Sequence, residues 1–225
     1  MNRMPIADLF ARSCRPALAC LALAVASGCA GLLPKATPQP TFYALDRARV
    51  AAPAPAHNTQ PAGAAAPTLV VNPPRAAAGF DSPRIIYTRG AHQLEYFAHS
   101  EWVDTPARML APLITAALET GSTFHAVIPT PSAAAGDIRL DTEILRLQQN
   151  FGDGPGHVRF TLRAYLVENA TRRVLAWREF DESVATQGED AYGGVVAANR
   201  AVQIVLEALA GLCTEAAAGW KPPEK

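Results

Sequence analysis

The chain has 225 residues, with 20 Lys+Arg matched by 20 Asp+Glu. This balance removes any electrostatic case for nucleic acid or for a polybasic membrane surface. Beyond the first 30 residues no segment approaches the ~18 uninterrupted apolar residues of a membrane-spanning helix.

The N-terminus reads as an export signal. Arg3, Arg12 and Arg15 face one acid, Asp8, and an uncharged apolar run covers Ala17 to Ala26. A run of about ten residues suits a signal peptide and is too short to cross a bilayer. Small Ser27 and Gly28 precede Cys29, the arrangement of a lipobox. Residues 1–28 are then a lipoprotein signal peptide, and Cys29 becomes the lipidated N-terminus. Ala26 stands where a lipobox usually has Leu, so a plain signal peptide cut near Ala30 is the alternative. Cys20 competes as a lipidation site, but only Pro16 to Ala19 separate it from Arg15.

Removing residues 1–28 leaves 17 Lys+Arg and 19 Asp+Glu, a net charge near −2. Cys14 and Cys20 leave with the signal and Cys29 carries lipid, so Cys213 remains without a partner for an internal disulfide. Cys213 reads as a small buried apolar residue on a helix, with a reactive thiol as the sharper alternative.

Residues 29–67 read as a tether. Pro34, Pro38, Pro40, Pro53, Pro55, Pro61 and Pro67 lie among Ala, Thr and Gln, a composition that stays extended and buries no core. The island Phe42-Tyr43-Ala44-Leu45 interrupts it, and two aromatics with a Leu demand a surface. The expected surface is the edge of the domain's own sheet.

Residues 68–225 read as one α+β domain, a largely antiparallel sheet with two main helices packed on it. Leu69 to Val71 form a short strand ended by Asn72-Pro73-Pro74. Ile85 to Thr88 and Gln93 to Phe97 form a hairpin turning at Gly90-Ala91. Thr105 is the N-cap and Pro106 the first residue of a helix ending at Gly121. Pro112 should kink this helix or start a second segment. Phe124 to Ile128 is a further strand. Ile138, Leu140, Thr142 and Ile144 share one parity, which then switches to Leu145 and Leu147 and predicts a bulge near Ile144. Val158 to Leu166 alternates cleanly, a turn follows at Asn169 to Arg172, and a strand runs from Val174 to about Val184. These three strands predict an antiparallel meander with one polar face. The last helix spans Asp190 to Ala218, with Val195, Ala198, Val202, Val205, Leu206, Leu209 and Leu212 as its apolar stripe. Gly193-Gly194 weakens its first turn.

The search for chemistry returns little. His57, His92, His99, His125 and His157 form no H-x-x-x-H or H-E-x-x-H pattern and have no Cys pair to join, so no metal site or cofactor is expected. No G-x-S-x-G elbow occurs. Gly152 to Gly156 lacks the Lys and the following helix of a phosphate cradle. Asp137, Asp141 and Glu143 alternate with Arg139 along one strand face, the pattern of a solvated face rather than an acid–base pair. No catalytic residue is assigned. The segment from Asp81 to Trp102 is richer in recognition chemistry. Trp102 reads either as a core or helix-entry aromatic or, with Tyr96, Phe97 and nearby His99, as a partner-binding patch.

With these motifs the chain resembles the ABC-type transport auxiliary lipoproteins, the PqiC-like family. The resemblance runs from Cys29 and the island at Tyr43 to Leu45 through Asp81, Pro83 and Ile85. It continues through Tyr96 to Trp102 and the helix opened by Pro106, and ends with the strands of 137–185 and a C-terminal helix opened by Asp190. It departs in the Ala/Pro insert of 48–67 and at the lipobox position Ala26. The resemblance implies a non-enzymatic periplasmic subunit of an envelope lipid-transport system. Such a subunit docks an MCE-domain protein of the ABC transporter, and a homo-oligomer matching the MCE ring is plausible. Ala30 after Cys29, in place of Asp, resembles outer-membrane rather than inner-membrane sorting. A lipid-binding carrier, or a lipoprotein activator of an envelope enzyme, would suit the same architecture.

Overall fold

The computed structural model describes residues 39–46, 66–152 and 154–222. The expected signal peptide, Cys29, His57, Asp153 and most of the expected tether lie outside them.

One strand organises the sheet. Alternating Ile138, Leu140, Thr142 and Ile144 build β7 (Ile138–Asn150), whose burial alternates residue by residue over its first half. A strand that hides every second residue must put the others on the opposite face. At Leu145 the register against its neighbour shifts, between Ile144 and Arg146, and burial resumes at Leu147 and Gln149. The bulge expected from the parity change is there. It turns the second half of the strand so that Leu147 still points into the core.

One edge of β7 pairs antiparallel with β8 (His157–Glu168) along its length, and β8 pairs antiparallel with β9 (Val174–Ala185). The turn between them places Arg172 at φ 60. The other edge of β7 is covered by three short parallel segments laid end to end: β2 (Thr68–Val71), β3 (Arg75–Ala76) and β4 (Arg84–Thr88). β6 (Ala126–Pro129) adds parallel to β2, and β5 (Glu95–Trp102) adds antiparallel to β4. β1 (Thr41–Tyr43) completes the sheet, parallel to β5. Most of the ladder is antiparallel, as expected. The parallel edge is an addition that local sequence did not announce. In the β4–β5 hairpin the left-handed residue is His92, at φ 68, rather than Gly90.

Two helices cover the sheet. The shorter, α1 (Pro106–Glu119), is continuous across Pro112, so it is one helix and not two. Thr105 has the extended backbone of an N-cap, but its side chain makes no capping bond. Asp104 Oδ1 instead accepts from the Thr105 N–H at 2.7 Å. The longer, α2 (Ala191–Ala218), is capped by Asp190, whose carboxylate accepts from the Gly193 N–H at 2.7 Å. Every residue of its predicted apolar stripe is buried.

Gly193 and Gly194, expected only to weaken the first turn of α2, have a packing role. A Cβ on Gly194 would fall 2.1 Å from Gln149 Oε1. The helix can therefore lie against β7 only because that side chain is absent. Between sheet and helices Ile138, Leu140, Phe160, Leu162, Leu110, Ile114 and Leu209 are fully buried. These side chains form the core shared by the sheet and the two helices.

Candidate functional site

The charged face of the meander is a paired surface. On β8 and β9, Arg159 donates to both carboxylate oxygens of Asp181, at 2.9 and 2.5 Å. Thr161 Oγ1 donates to the same group at 2.7 Å. Arg163 donates to Glu179 at 2.9 Å and lies 4.0 Å from Glu143. Asp181 is held down at about 2, first by its bond from Arg159, then by Thr161 and the surrounding positive charge. The Glu179 bond raises Arg163 in turn. These shifts stabilise ionised partners across two strands and leave no proton poised for transfer near neutral pH.

Asp137, just before β7, and Asp141 within it are likewise engaged. Asp137 Oδ2 accepts from the Thr68 N–H at 2.8 Å, and Asp141 accepts from Asn72 Nδ2 at 2.6 Å and Arg139 Nε at 2.9 Å. They hold β2 and its following loop against β7. Among the described residues no group of three or more His, Cys, Asp or Glu is placed to hold a metal ion. Cys213 is fully buried, and burial pushes its thiol up to about 12, which suppresses the nucleophilic thiolate.

The expected aromatic patch does not assemble. Trp102 ends β5 with 4% of its surface exposed, inside the core, because the β4–β5 register shifts between Arg84 and Ile86 and the inward-facing side of β5 changes between Tyr96 and Trp102. Phe97 packs against Tyr87 and Phe151, with ring centroids 4.7 and 6.3 Å away. Tyr87 Oη donates to Glu95 at 2.7 Å, and that bond raises its pKa. Tyr96 is exposed and lies under the Arg84 guanidinium, 4.9 Å from its centre. Adjacent strand residues point to opposite faces, so Tyr96 and Phe97 cannot share a surface.

Two other features form instead. The first is the seat of β1. Thr41, Phe42 and Tyr43 pair with Ser100, Glu101 and Trp102, and the Val103 N–H donates to the Tyr43 carbonyl at 2.7 Å. Leu45 is buried, and its N–H donates to Met109 Sδ at 3.4 Å. The Asn199 carboxamide holds the same segment twice, donating to the Ala44 carbonyl at 3.2 Å and accepting from the Asp46 N–H at 2.9 Å. The aromatic island thus docks on the sheet edge and on α2. The second feature is an open groove of about 420 Å³ between α1 and α2, floored by Leu113, Ala117, Val202, Leu206 and Ala210 and rimmed by Asp46 and Glu207.

A family model described as the ABC-type transport auxiliary lipoprotein component matches residues 48–210. The chain belongs to this family. Membership makes the protein a membrane-anchored envelope component that works with an ABC-type transporter. The auxiliary lipoprotein is 25% identical to protein XCC0632 from Xanthomonas campestris, with a TM-score of 0.65 over 78% of this chain and 96% of that one. An uncharacterized protein of solved structure, 12% identical, gives a TM-score of 0.59 over 77% and 97% of the two chains and shares the fold alone. No curated protein matches. In the auxiliary lipoprotein, β1 lies just upstream of the matched span. Its docking partners on α2, Tyr192 and Asn199, lie within that span. Sequence reasoning located the island but missed these partners. Their signal was modest: two hydrogen-bonding or aromatic residues on the flank of α2's apolar stripe.

Proposed function

We propose that the protein is a non-enzymatic periplasmic subunit of an envelope system moving lipids or other hydrophobic molecules. In this reading acylated Cys29 holds it at the periplasmic face of the outer membrane. The folded domain there receives the MCE-domain subunit of the ABC transporter. The family match over residues 48–210 carries the reading. It is supported by the paired charges of the meander and the buried thiol of Cys213, which among the described residues serve structure. A homo-oligomer matching the MCE ring belongs to the same proposal, and light scattering of the purified lipoprotein reads it.

The decisive experiment is co-purification from mild detergent extracts. The MCE subunit should follow the tagged lipoprotein at near-stoichiometric yield, and its absence would count against the docking role. Fractionation tests the anchor separately. Cys29→Ser should leave the domain folded and periplasmic but release it from outer membranes, and a variant that still sediments with them would show that Cys29 is not the anchor.

The groove between α1 and α2 favours a second reading, a lipid-holding module. Its floor of Leu113, Ala117, Val202, Leu206 and Ala210 is apolar and open to the surface, which suits an acyl chain. Native mass spectrometry of protein purified without delipidation would show a lipid adduct if this is so, and a clean apo mass would end it.

A further inference from the structure

We propose that the corner where β1 joins the sheet is a membrane-contacting surface, with Phe42, Val103, Tyr192 and Val196 lying in the interfacial layer of the bilayer. The inference rests on the reading that Cys29 anchors the chain.

Large apolar side chains left exposed on a rigid scaffold call for an occupant. Among the described residues there are eight, and four gather here: Phe42 at 60% exposure, Val103 at 61%, Tyr192 at 63% and Val196 at 42%. They are linked through β1 around one corner rather than spread on one face. Tyr43 follows Phe42 and its ring lies 6.4 Å from that of Tyr192. Val103 is bonded through its N–H to the Tyr43 carbonyl. Val196 sits one helical turn beyond Tyr192 on α2. Neighbouring residues of a strand point to opposite sides. Phe42 and Tyr43 therefore flank the free edge of β1, and the corner presents an apolar rim on both sides of it.

The rim is also held in place. Pairing with β5, the burial of Leu45 and the double bond pattern of Asn199 fix β1 to the fold. These side chains are therefore displayed by the fold.

The length of chain outside the described residues identifies the occupant. Ten residues, 29–38, lie between the anchor position and the first described residues. Even fully stretched they reach roughly 35 Å. The chain enters the domain through β1, so this corner is the part of the domain kept nearest the bilayer. Tyrosine suits that layer, with an apolar ring and a hydroxyl for the headgroups. The charges beside the rim do not favour an anionic partner. Glu101 and Asp104 are acidic, and the cations around the rim are engaged: Arg108 is paired to Asp104 at 3.4 Å, Arg84 sits opposite Glu101 and over the Tyr96 ring at 4.9 Å, and Arg200 donates to Gln203 at 2.9 Å. The contact is therefore apolar, and it should be insensitive to salt and to anionic lipid.

Hydroxyl-radical footprinting of the full-length lipidated protein on phosphatidylethanolamine/phosphatidylglycerol vesicles tests this, with full-length Cys29→Ser in free solution as reference. Phe42 and Tyr192 should oxidise about threefold or more slowly on vesicles. Tyr96 and Trp177, exposed elsewhere, should oxidise equally in both. The protection should persist at high salt and on vesicles without phosphatidylglycerol. If the lipidated protein floats with vesicles while Phe42 and Tyr192 stay unprotected, the membrane-contact proposal falls and the anchor reading stands. If it does not float, the anchor reading fails and takes the proposal with it. Protection that appears only when purified MCE subunit is added would assign the rim to a protein partner and overturn the proposal.

Discussion

Gly194→Ala should destabilise the protein, although alanine is the better helix former. The new methyl would stand 2.1 Å from Gln149 Oε1 and 2.8 Å from Cδ. Gln149 is 2% exposed and its Nε2 donates to the Asp190 carbonyl at 3.3 Å, so the carboxamide has no open space to swing into. Moving it breaks one buried hydrogen bond, about 1 kcal/mol, and forces repacking worth about 1–3 kcal/mol. Against this stands about 1 kcal/mol of helix propensity. The net loss is about 2 kcal/mol, or a Tm drop of roughly 4–8 °C for a domain of this size. The control is the same substitution in a Gln149→Ala background. There the methyl has room, only the propensity gain survives, and the sign should reverse. Urea unfolding of the four proteins of this cycle gives the coupling directly. A stabilised Gly194→Ala single variant, or an equal loss in both backgrounds, would refute the claim that this glycine exists to admit Gln149.

Three further outcomes follow from the geometry. Asp190→Ala removes the side-chain acceptor for the Gly193 N–H and should cost about 1 kcal/mol, read by thermal melts, whereas Asp190→Asn should retain most of it. Asp181 sits at about 2 in the folded protein, below its ordinary 3.8. Its contribution is therefore complete above about pH 4 and is lost as the pH falls toward 2. Because the carboxylate is 38% exposed, screening holds this to no more than about 1 kcal/mol. Asp181→Asn should flatten that part of the stability–pH curve. Cys213 should resist iodoacetamide in the native protein and react on unfolding in denaturant; rapid native labelling would contradict its burial.

How much of this was legible in the sequence depends on the range of the signal. The alternation in β7 and β8 is a local code, and it revealed the paired strands and the bulge near Ile144. The apolar stripe of α2 and its Asp190 cap were equally local. The parallel edge of β7 was not legible. β2, β3 and β4 pair with residues 62 to 69 positions further along the chain, and nothing within Arg75-Ala76 announces a strand after two prolines. Gly194 misled because propensity describes a helix alone, while its role is set by a side chain on another element. Trp102 misled similarly. An aromatic residue before a helix signals docking or core equally well until the register of its strand, here shifted midway along β5, is known. The β1 corner was half legible: Phe42 and Tyr43 demanded a surface, but the exposure of Tyr192 and Val196 beside them emerges only when α2 is laid on the sheet.

The asymmetry of β7 has a consequence for how the chain assembles. One side of β7 is satisfied by a neighbour only a short turn away in sequence, the other by three fragments recruited from far upstream. Closing the near hairpins costs little loop entropy, whereas each upstream fragment must close a long loop for two or three pairings. We therefore expect the folding nucleus in β7, β8 and β9, with β2, β3 and β4 zipping on after the barrier. Conservative substitutions at Leu162 and Ile144 should slow refolding, while those at Val71 and Ile85 should mainly speed unfolding.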